Sequence, residues 1–312
     1  MSAIENGLAG ARERVLALLE LPDADAAREQ VAGLHASDVA DVLESLEEPE
    51  RLKLLSLLPV EVASEALAEM EEGGTRAELL AALEPDKRTE LLAELADDDV
   101  ADLIAELEPA EQRKVLEELP VQDATELLDL LSYDEDTAGG LMTTEVVSIE
   151  RSRTAAEAIE EVRRQGREVE NFYTIFVVDA DRRLQGTLRL DRLIMADPSQ
   201  PIAELVEEPA ATVLPSEDQE QVGRLIARYN LASIAVVDED RRLLGRITFD
   251  DVIDVMEAEQ TEDILRMAGL GDEEGLRYTW SEAVRARLPW LGLNLLIASL
   301  SAFVVWVFSD TI

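Results

Sequence analysis

Residues 245–263 read GRITFDDVIDVMEAEQTED and hold seven carboxylates: Asp250, Asp251, Asp254, Glu257, Glu259, Glu262 and Asp263. Arg246 is the one base among them. So many like charges on one short segment repel each other near neutral pH. High salt relieves that repulsion by screening, and a divalent cation relieves it by sitting between the carboxylates. The donors are all oxygen, which suits a hard ion such as Mg²⁺ or Ca²⁺ better than Zn²⁺. No EF-hand loop of the D-x-D-x-D-G type is present.

The remaining composition excludes other chemistries. There is no cysteine, so disulfides and thiolate metal sites are ruled out, and the single histidine, His35, cannot build a His-rich zinc or iron centre. His35 reads as a helix-start or surface residue. The chain carries 69 acidic against 28 basic residues, a formal net charge of −41, and lacks the basic face that a nucleic-acid binder needs. Lys occurs only at positions 53, 87 and 114. Acid-rich, Lys-poor composition also keeps halophilic proteins soluble, so most of these acids read as solvated helix faces, and only clusters that meet in space are site candidates. No nucleophile–base pair and no Walker-type phosphate loop is seen, so no enzyme is expected.

These carboxylates must be placed by the surrounding elements. Residues 1–135 repeat apolar positions every three or four residues between Pro and Gly breaks, the pattern of a helical array. The stretch from Asp38 realigns with that from Asp99 at an offset of 61, and LEPDKRTELLAELA from Leu83 with LEPAEQRKVLEELP from Leu107 at an offset of 24. Such self-similarity predicts stacked helix pairs, an all-α superhelical solenoid. After Ala138-Gly139-Gly140 the pattern turns β-rich and duplicates: FVVDADRRLQGTLRLDRLI (176–194) matches AVVDEDRRLLGRITFDDVI (235–253) at an offset of 59. Helices are expected upstream of each copy, over 154–165 and 217–229, giving a tandem α/β module. A long acidic helix is expected over 251–268, broken by Gly-Leu-Gly at 269–271.

The opening residues show no signal peptide. Residues 288–309, LPWLGLNLLIASLSAFVVWVFS, are 22 residues without a charge, long enough to span a bilayer. Trp290 and Trp306 lie near the two ends, and Arg285 and Arg287 precede the run. The positive-inside rule then puts residues 1–287 in the cytoplasm.

The two copies resemble CBS domains, and the order of segments resembles the MgtE family of magnesium channels and transporters. The residues that carry the likeness are DDDVADLIAEL (97–107), YDEDTAGGLMTTEVVSI (133–149) and LLGRITFDDVIDVMEAEQTEDILRMAG (243–269). The resemblance implies an all-α superhelical N domain (1–135), CBS domains over 136–199 and 200–256, a plug or connecting helix (257–287) and a first transmembrane helix (288–309). Family members continue through five membrane helices, and only the first is seen here. The family also implies a homodimer formed through the CBS domains and a place in the cell inner membrane.

In the family, cytosolic Mg²⁺ bound between the N domain, the CBS domains and the plug helix holds the pore shut. Carried over by position, the implied ligands are Asp98 and Asp102, Asp251 and Asp254, and Glu259, Glu262 and Asp263. These acids lie three or four residues apart within each group, so paired acids share a helix face. Asn230 stands where the family often has Asp. The resemblance also raises ATP as a ligand. CBS domains that bind adenosine often carry Gly-x-x-Thr/Ser-x-x-Asp, which Gly245, Thr248 and Asp251 fit. The first copy has Gly186, Arg189 and Arg192 instead, so at most one such site is expected. A nucleotide-sensing CBS regulator of a different membrane protein is the alternative reading.

Overall fold

A computed structural model describes Val15 and residues 34–70, 74–167, 169, 172–267 and 280–307. The chain divides into two compact units, Met1–Phe249 and Asp250–Ile312.

The first unit begins with eight short helices: α1 (Ala36–Ser45), α2 (Glu48–Leu57), α3 (Val60–Ala68), α4 (Gly74–Ala82), α5 (Pro85–Leu92), α6 (Asp97–Ala105), α7 (Pro109–Glu118) and α8 (Val121–Leu130). Each packs on the next but one: α1 on α3, α3 on α5 and α5 on α7, and α2 on α4, α4 on α6 and α6 on α8. Two rows of helices are the solenoid the repeats predict. Their shared core is a ladder of Leu43, Leu54, Leu67, Leu80, Leu91 and Leu103, all closed to solvent. Proline opens α5 and α7 and lies in the first turn of α2, where a missing N–H costs nothing. His35 is the N-cap of α1, its Nδ1 accepting from the Ser37 N–H at 3.4 Å.

The sequence repeats also carry a device for closing helix ends. Arg51 donates to the carbonyls of Leu43 and Glu44 in the last turn of α1. Arg88 donates to those of Leu80 and Ala81 in α4, and Gln112 to that of Ala105 in α6. Offsets of 61 and 24 superpose these three positions. The last carbonyls of a helix lack intrahelical partners and carry partial negative charge, so a guanidinium there satisfies both. Arg76 repeats the device on Ala68 and Met70. Arg76 and Arg88 also reach thirty residues ahead, to Glu106 and Glu118.

The tandem module follows, with β1 (Ser148–Glu150), α9 (Ala155–Gln165), β2 (Thr174–Val178), β3 (Leu184–Arg189), α10 (Leu190–Met195), β4 (Thr212–Val213), α11 (Gln219–Tyr229), β5 (Ser233–Val237) and β6 (Leu243–Thr248). Each copy is a three-stranded sheet, with a parallel first pair and an antiparallel second pair. The register repeats at the offset of 59: Val177 faces Gly186, Val236 faces Gly245, and each fifth strand position carries the same bulge. Asp179 and Asp238 end their strands by turning a carboxylate onto the backbone N–H of Arg183 and Arg242. Arg182 and Arg241 then take positive φ, 62° and 64°. The two hairpins lock together, Leu184 N–H to Arg241 O at 2.8 Å and Leu243 N–H to Arg182 O at 2.9 Å. Phe176, Val178, Leu184, Ala235, Val237 and Leu243 form the core between them.

The second unit contains most of α12 (Phe249–Met267) and α13 (Trp280–Val307). Gly269–Gly271 lies outside the described residues. Helix α13 begins eight residues before the uncharged run, because SEAVRAR is rich in the good helix formers Ala, Arg and Glu. Its described side chains at Leu288, Leu293, Leu295, Leu296, Ile297, Leu300 and Phe303 are all exposed. Among the described residues, no helix is long and apolar enough to cross a membrane. The described residues therefore do not show the spanning helix expected at 288–309, and Phe308 and Ser309, which close that run, lie outside them.

Candidate cation-responsive site

Helix α6 opens with three acids, Asp97, Asp98 and Asp99, where the positive end of the helix dipole favours negative charge. Val100, Ala101, Leu103 and Ile104 turn into the solenoid core. That leaves Asp98 and Asp102, one turn apart, at the edge of the buried face, both half-buried, with Asp98 Oδ1 closed off from solvent. On α12, Asp251 and Glu259 are half-buried and Asp254 is exposed. Asp251 and Asp254 share a face, whereas Glu259 is rotated by about 140° from Asp254 at about 100° per residue. The backbone of Glu262 and Asp263 is helical, and their side chains lie outside the described residues. Among the described residues, no group of three or more His, Asp or Glu side chains is gathered in a way that could hold a metal ion. The expected ligands thus appear as pairs on separate helices. Their donor chemistry, carboxylate oxygen alone, fits Mg²⁺, which retains water and takes one or two carboxylates directly.

The residues that fit the nucleotide pattern have structural duties as well. A Cβ on Gly245 would lie 2.4 Å from Thr143 O. Glycine is required here because Thr143 and Arg246 pair as strand neighbours, exchanging both backbone hydrogen bonds at 2.9 Å. Gly186 has the same role in the first copy, where Thr187 pairs with Glu207. Thr248 is buried at the end of β6 and faces Ser233. Asp251 follows in the first turn of α12. In the first copy, Arg189 pairs with Asp191 at 2.7 Å and Arg192 with Glu207. Those pairs engage the guanidiniums that stand in place of Thr and Asp. Asn230, at the position where Asp was expected, is a left-handed C-cap for α11 with φ 51°, a conformation Asn adopts readily.

One contact at the head of α6 escaped the sequence. Asp97 accepts from Thr143 Oγ1 at 2.6 Å, from Thr144 N–H at 3.0 Å and from the Thr144 hydroxyl. It joins the helical domain to the segment that pairs with β6. Only the run Asp97-Asp98-Asp99 hinted at it, and nothing local says which of three acids meets a threonine 46 residues away.

The described fold is an α-helical solenoid followed by two packed three-stranded α/β copies of one topology, the class of an all-α domain joined to a tandem α/β pair. Residues 34–136 match the family model for the MgtE intracellular N domain, and residues 138–199 and 202–258 match that for the CBS domain. The chain is 36% identical to the magnesium transporter MgtE of Thermus thermophilus, over 94% of this chain and 66% of that protein. It is 30% identical to the magnesium transporter MgtE of Bacillus subtilis, over 91% and 63%. Among solved structures, it is similar to the cytosolic domain of the Mg²⁺ channel MgtE in complex with ATP (TM-score 0.72, 37% identity, 75% of this chain and 95% of that one). It is also similar to the soluble part of a magnesium transporter (TM-score 0.74, 31% identity, 81% and 99%). The chain belongs to the MgtE family of magnesium transporters. It spans at most about two thirds of the length of the curated relatives it matches.

Proposed function

We propose that this chain is the cytosolic Mg²⁺-sensing and gating region of a magnesium channel, closing the pore when cytosolic Mg²⁺ is high. The observation that supports it most is the match to 95% of the cytosolic domain of a Mg²⁺ channel, with paired carboxylates at the positions the family implies. Asp98 and Asp102 on α6, and Asp251, Asp254, Glu259, Glu262 and Asp263 on α12, are the proposed cation ligands. Without metal, acids three and four apart repel by a few tenths of a kcal/mol per pair, roughly, and a bound divalent cation reverses that sign. The proposed ligands thus lie on helices of both units, α6 in the first and α12 in the second. Residues 288–309 would cross the cell inner membrane with residues 1–287 in the cytoplasm, and a homodimer would form through the CBS domains. The exposed leucines of α13 suit lipid, where apolar side chains need no protein cover. One helix cannot line an aqueous ion path, so conduction belongs to a larger assembly of membrane helices.

ATP is the second proposed ligand, at Gly245, Thr248 and Asp251. A similar solved structure contains ATP, and the first copy's arginine pairs leave the second copy as the candidate. Calorimetric titration separates the two readings. MgCl₂ titrated into nucleotide-free protein should give saturable heat, and ATP should bind with a stoichiometry no higher than one per chain. ATP binding with no Mg²⁺ response would transfer the function to nucleotide sensing.

A further inference from the structure

Asp97 and the Thr143-Thr144 pair form a contact that no metal is needed to make. Both carboxylate oxygens are used: Oδ1 takes the Thr143 hydroxyl at 2.6 Å and the Thr144 N–H at 3.0 Å, while Oδ2 takes the Thr144 hydroxyl and the same N–H at 3.2 Å. Thr143 is buried, 2% exposed, and Asp97 is half-buried. Hydrogen bonds to an ionised acceptor are roughly twice as strong as neutral ones, and partial burial protects them from water.

The segment that Asp97 grips is fixed on its other side. Thr143 exchanges two backbone hydrogen bonds with Arg246. The Arg246 guanidinium, itself buried, donates to Glu145 O at 3.0 Å. Gly245 lets the two strands approach. Upstream, Ala138 N–H and Gly139 N–H donate to Glu217 O and Pro215 O at the start of the second copy. The chain therefore leaves the helical domain, docks on the second CBS copy, and carries threonines that meet the first residue of α6. Helix α6 bears Asp98 and Asp102. Strand β6 continues without a break into α12, which bears Asp251, Asp254 and Glu259.

We propose that Asp97 is a metal-independent latch, a positioning residue that fixes the N-terminus of α6 to the strand pair Thr143–Arg246 and so sets the arrangement in which the helical domain meets a cation. Its positioning role rests on the Mg²⁺-sensing reading above, whereas the latch itself does not. The neighbouring acids respond to the ion, and Asp97 is already committed to threonine donors.

The chain contains no cysteine, so spin labels placed at Glu61→Cys on α3 and Glu239→Cys in the β5–β6 turn report one distance when labelled chain is diluted with excess unlabelled chain, which removes label pairs across the proposed homodimer. Both positions are exposed. In EDTA, the parent should give one narrow distance distribution. Asp97→Ala should broaden it and move its mean, and so should Thr143→Val with Thr144→Val, which leaves the carboxylate in place. Far-UV circular dichroism should show unchanged helix content in both variants. The midpoint of the Mg²⁺-induced shift in this distance should be about tenfold higher in Asp97→Ala than in the parent, within the usual range of coupling between sites. EDTA distributions that superpose on the parent's in both variants would overturn the latch. A change in Asp97→Ala alone would overturn it too, because the carboxylate would then act elsewhere. If Mg²⁺ moves no label in the parent while both variants change the EDTA distance, the sensing reading fails and the latch stands. If Mg²⁺ moves the parent's labels but the Asp97→Ala midpoint is unchanged, the positioning role fails.

Discussion

Arg88→Met should destabilise the helical domain by about 3 kcal/mol, the lower end of the range for breaking a buried ion pair by removing one partner. The Arg88 side chain is fully closed to solvent and binds Glu118 through Nε and Nη2 at 2.6–3.0 Å. It also satisfies the Leu80 and Ala81 carbonyls at the end of α4. Methionine fills much of the volume but removes the guanidinium donors of the Ala81 carbonyl and the Glu118 carboxylate, and leaves Leu80 O with the Leu83 N–H at 3.3 Å. Glu118 is 19% exposed and recovers some hydration, which places the loss at the low end. Lys87, one residue earlier, pairs with Glu90 at the surface. Lys87→Met should therefore cost under about 0.5 kcal/mol. Urea melts of the two variants decide it: equal midpoints would show that the repeated arginines do not hold the solenoid together.

The second large effect is a loss of response rather than of stability. Glu259→Gln, Glu262→Gln and Asp263→Asn together should remove the cation ligands proposed on α12. At a Mg²⁺ concentration about a hundred times the dissociation constant, the parent should gain about 2.7 kcal/mol by mass action. The triple variant should gain a small fraction of this. Without metal it should be as stable as the parent, or more so by a few tenths of a kcal/mol per relieved acid pair. Thermal melts with and without Mg²⁺ measure both quantities. A triple variant that keeps the full metal-dependent gain would place the response elsewhere.

The repeats made much of this architecture legible. The offset of 59 is the strand register itself, since it superposes Val177 and Gly186 on Val236 and Gly245. The offsets of 61 and 24 mark a helix-closing side chain at Arg51, Arg88 and Gln112, a physical meaning that periodicity alone does not disclose. Both are local patterns, set by strand pleat and helix turn. The pairing of Thr143 with Arg246 is not local: it joins positions about a hundred residues apart and needs only one backbone contact and a glycine. Gly245 accordingly read only as part of a nucleotide pattern, and its close approach to Thr143 O gives it a structural duty beside that one. Of the acids at 97–102, the resemblance singled out Asp98 with Asp102 as ligands. The structure divides them: Asp97 meets threonines, and Asp98 and Asp102 stay at the edge of the core. The uncharged run at 288–309 marked where charges stop, not where the helix starts, because α13 begins at Trp280.

The most direct test of cation sensing compares two salts on the whole chain. With 69 acidic residues against 28 basic ones, any cation screens repulsion, so a rise in melting temperature with salt carries no information alone. The informative quantity is the difference between MgCl₂ at millimolar levels and NaCl at the same ionic strength. Screening depends on ionic strength alone, whereas binding adds a mass-action gain that grows with ligand concentration. The sensing account predicts a larger, saturating rise with MgCl₂. Superimposable melting temperatures in the two salts would contradict it, and the acidic composition would then serve solubility alone.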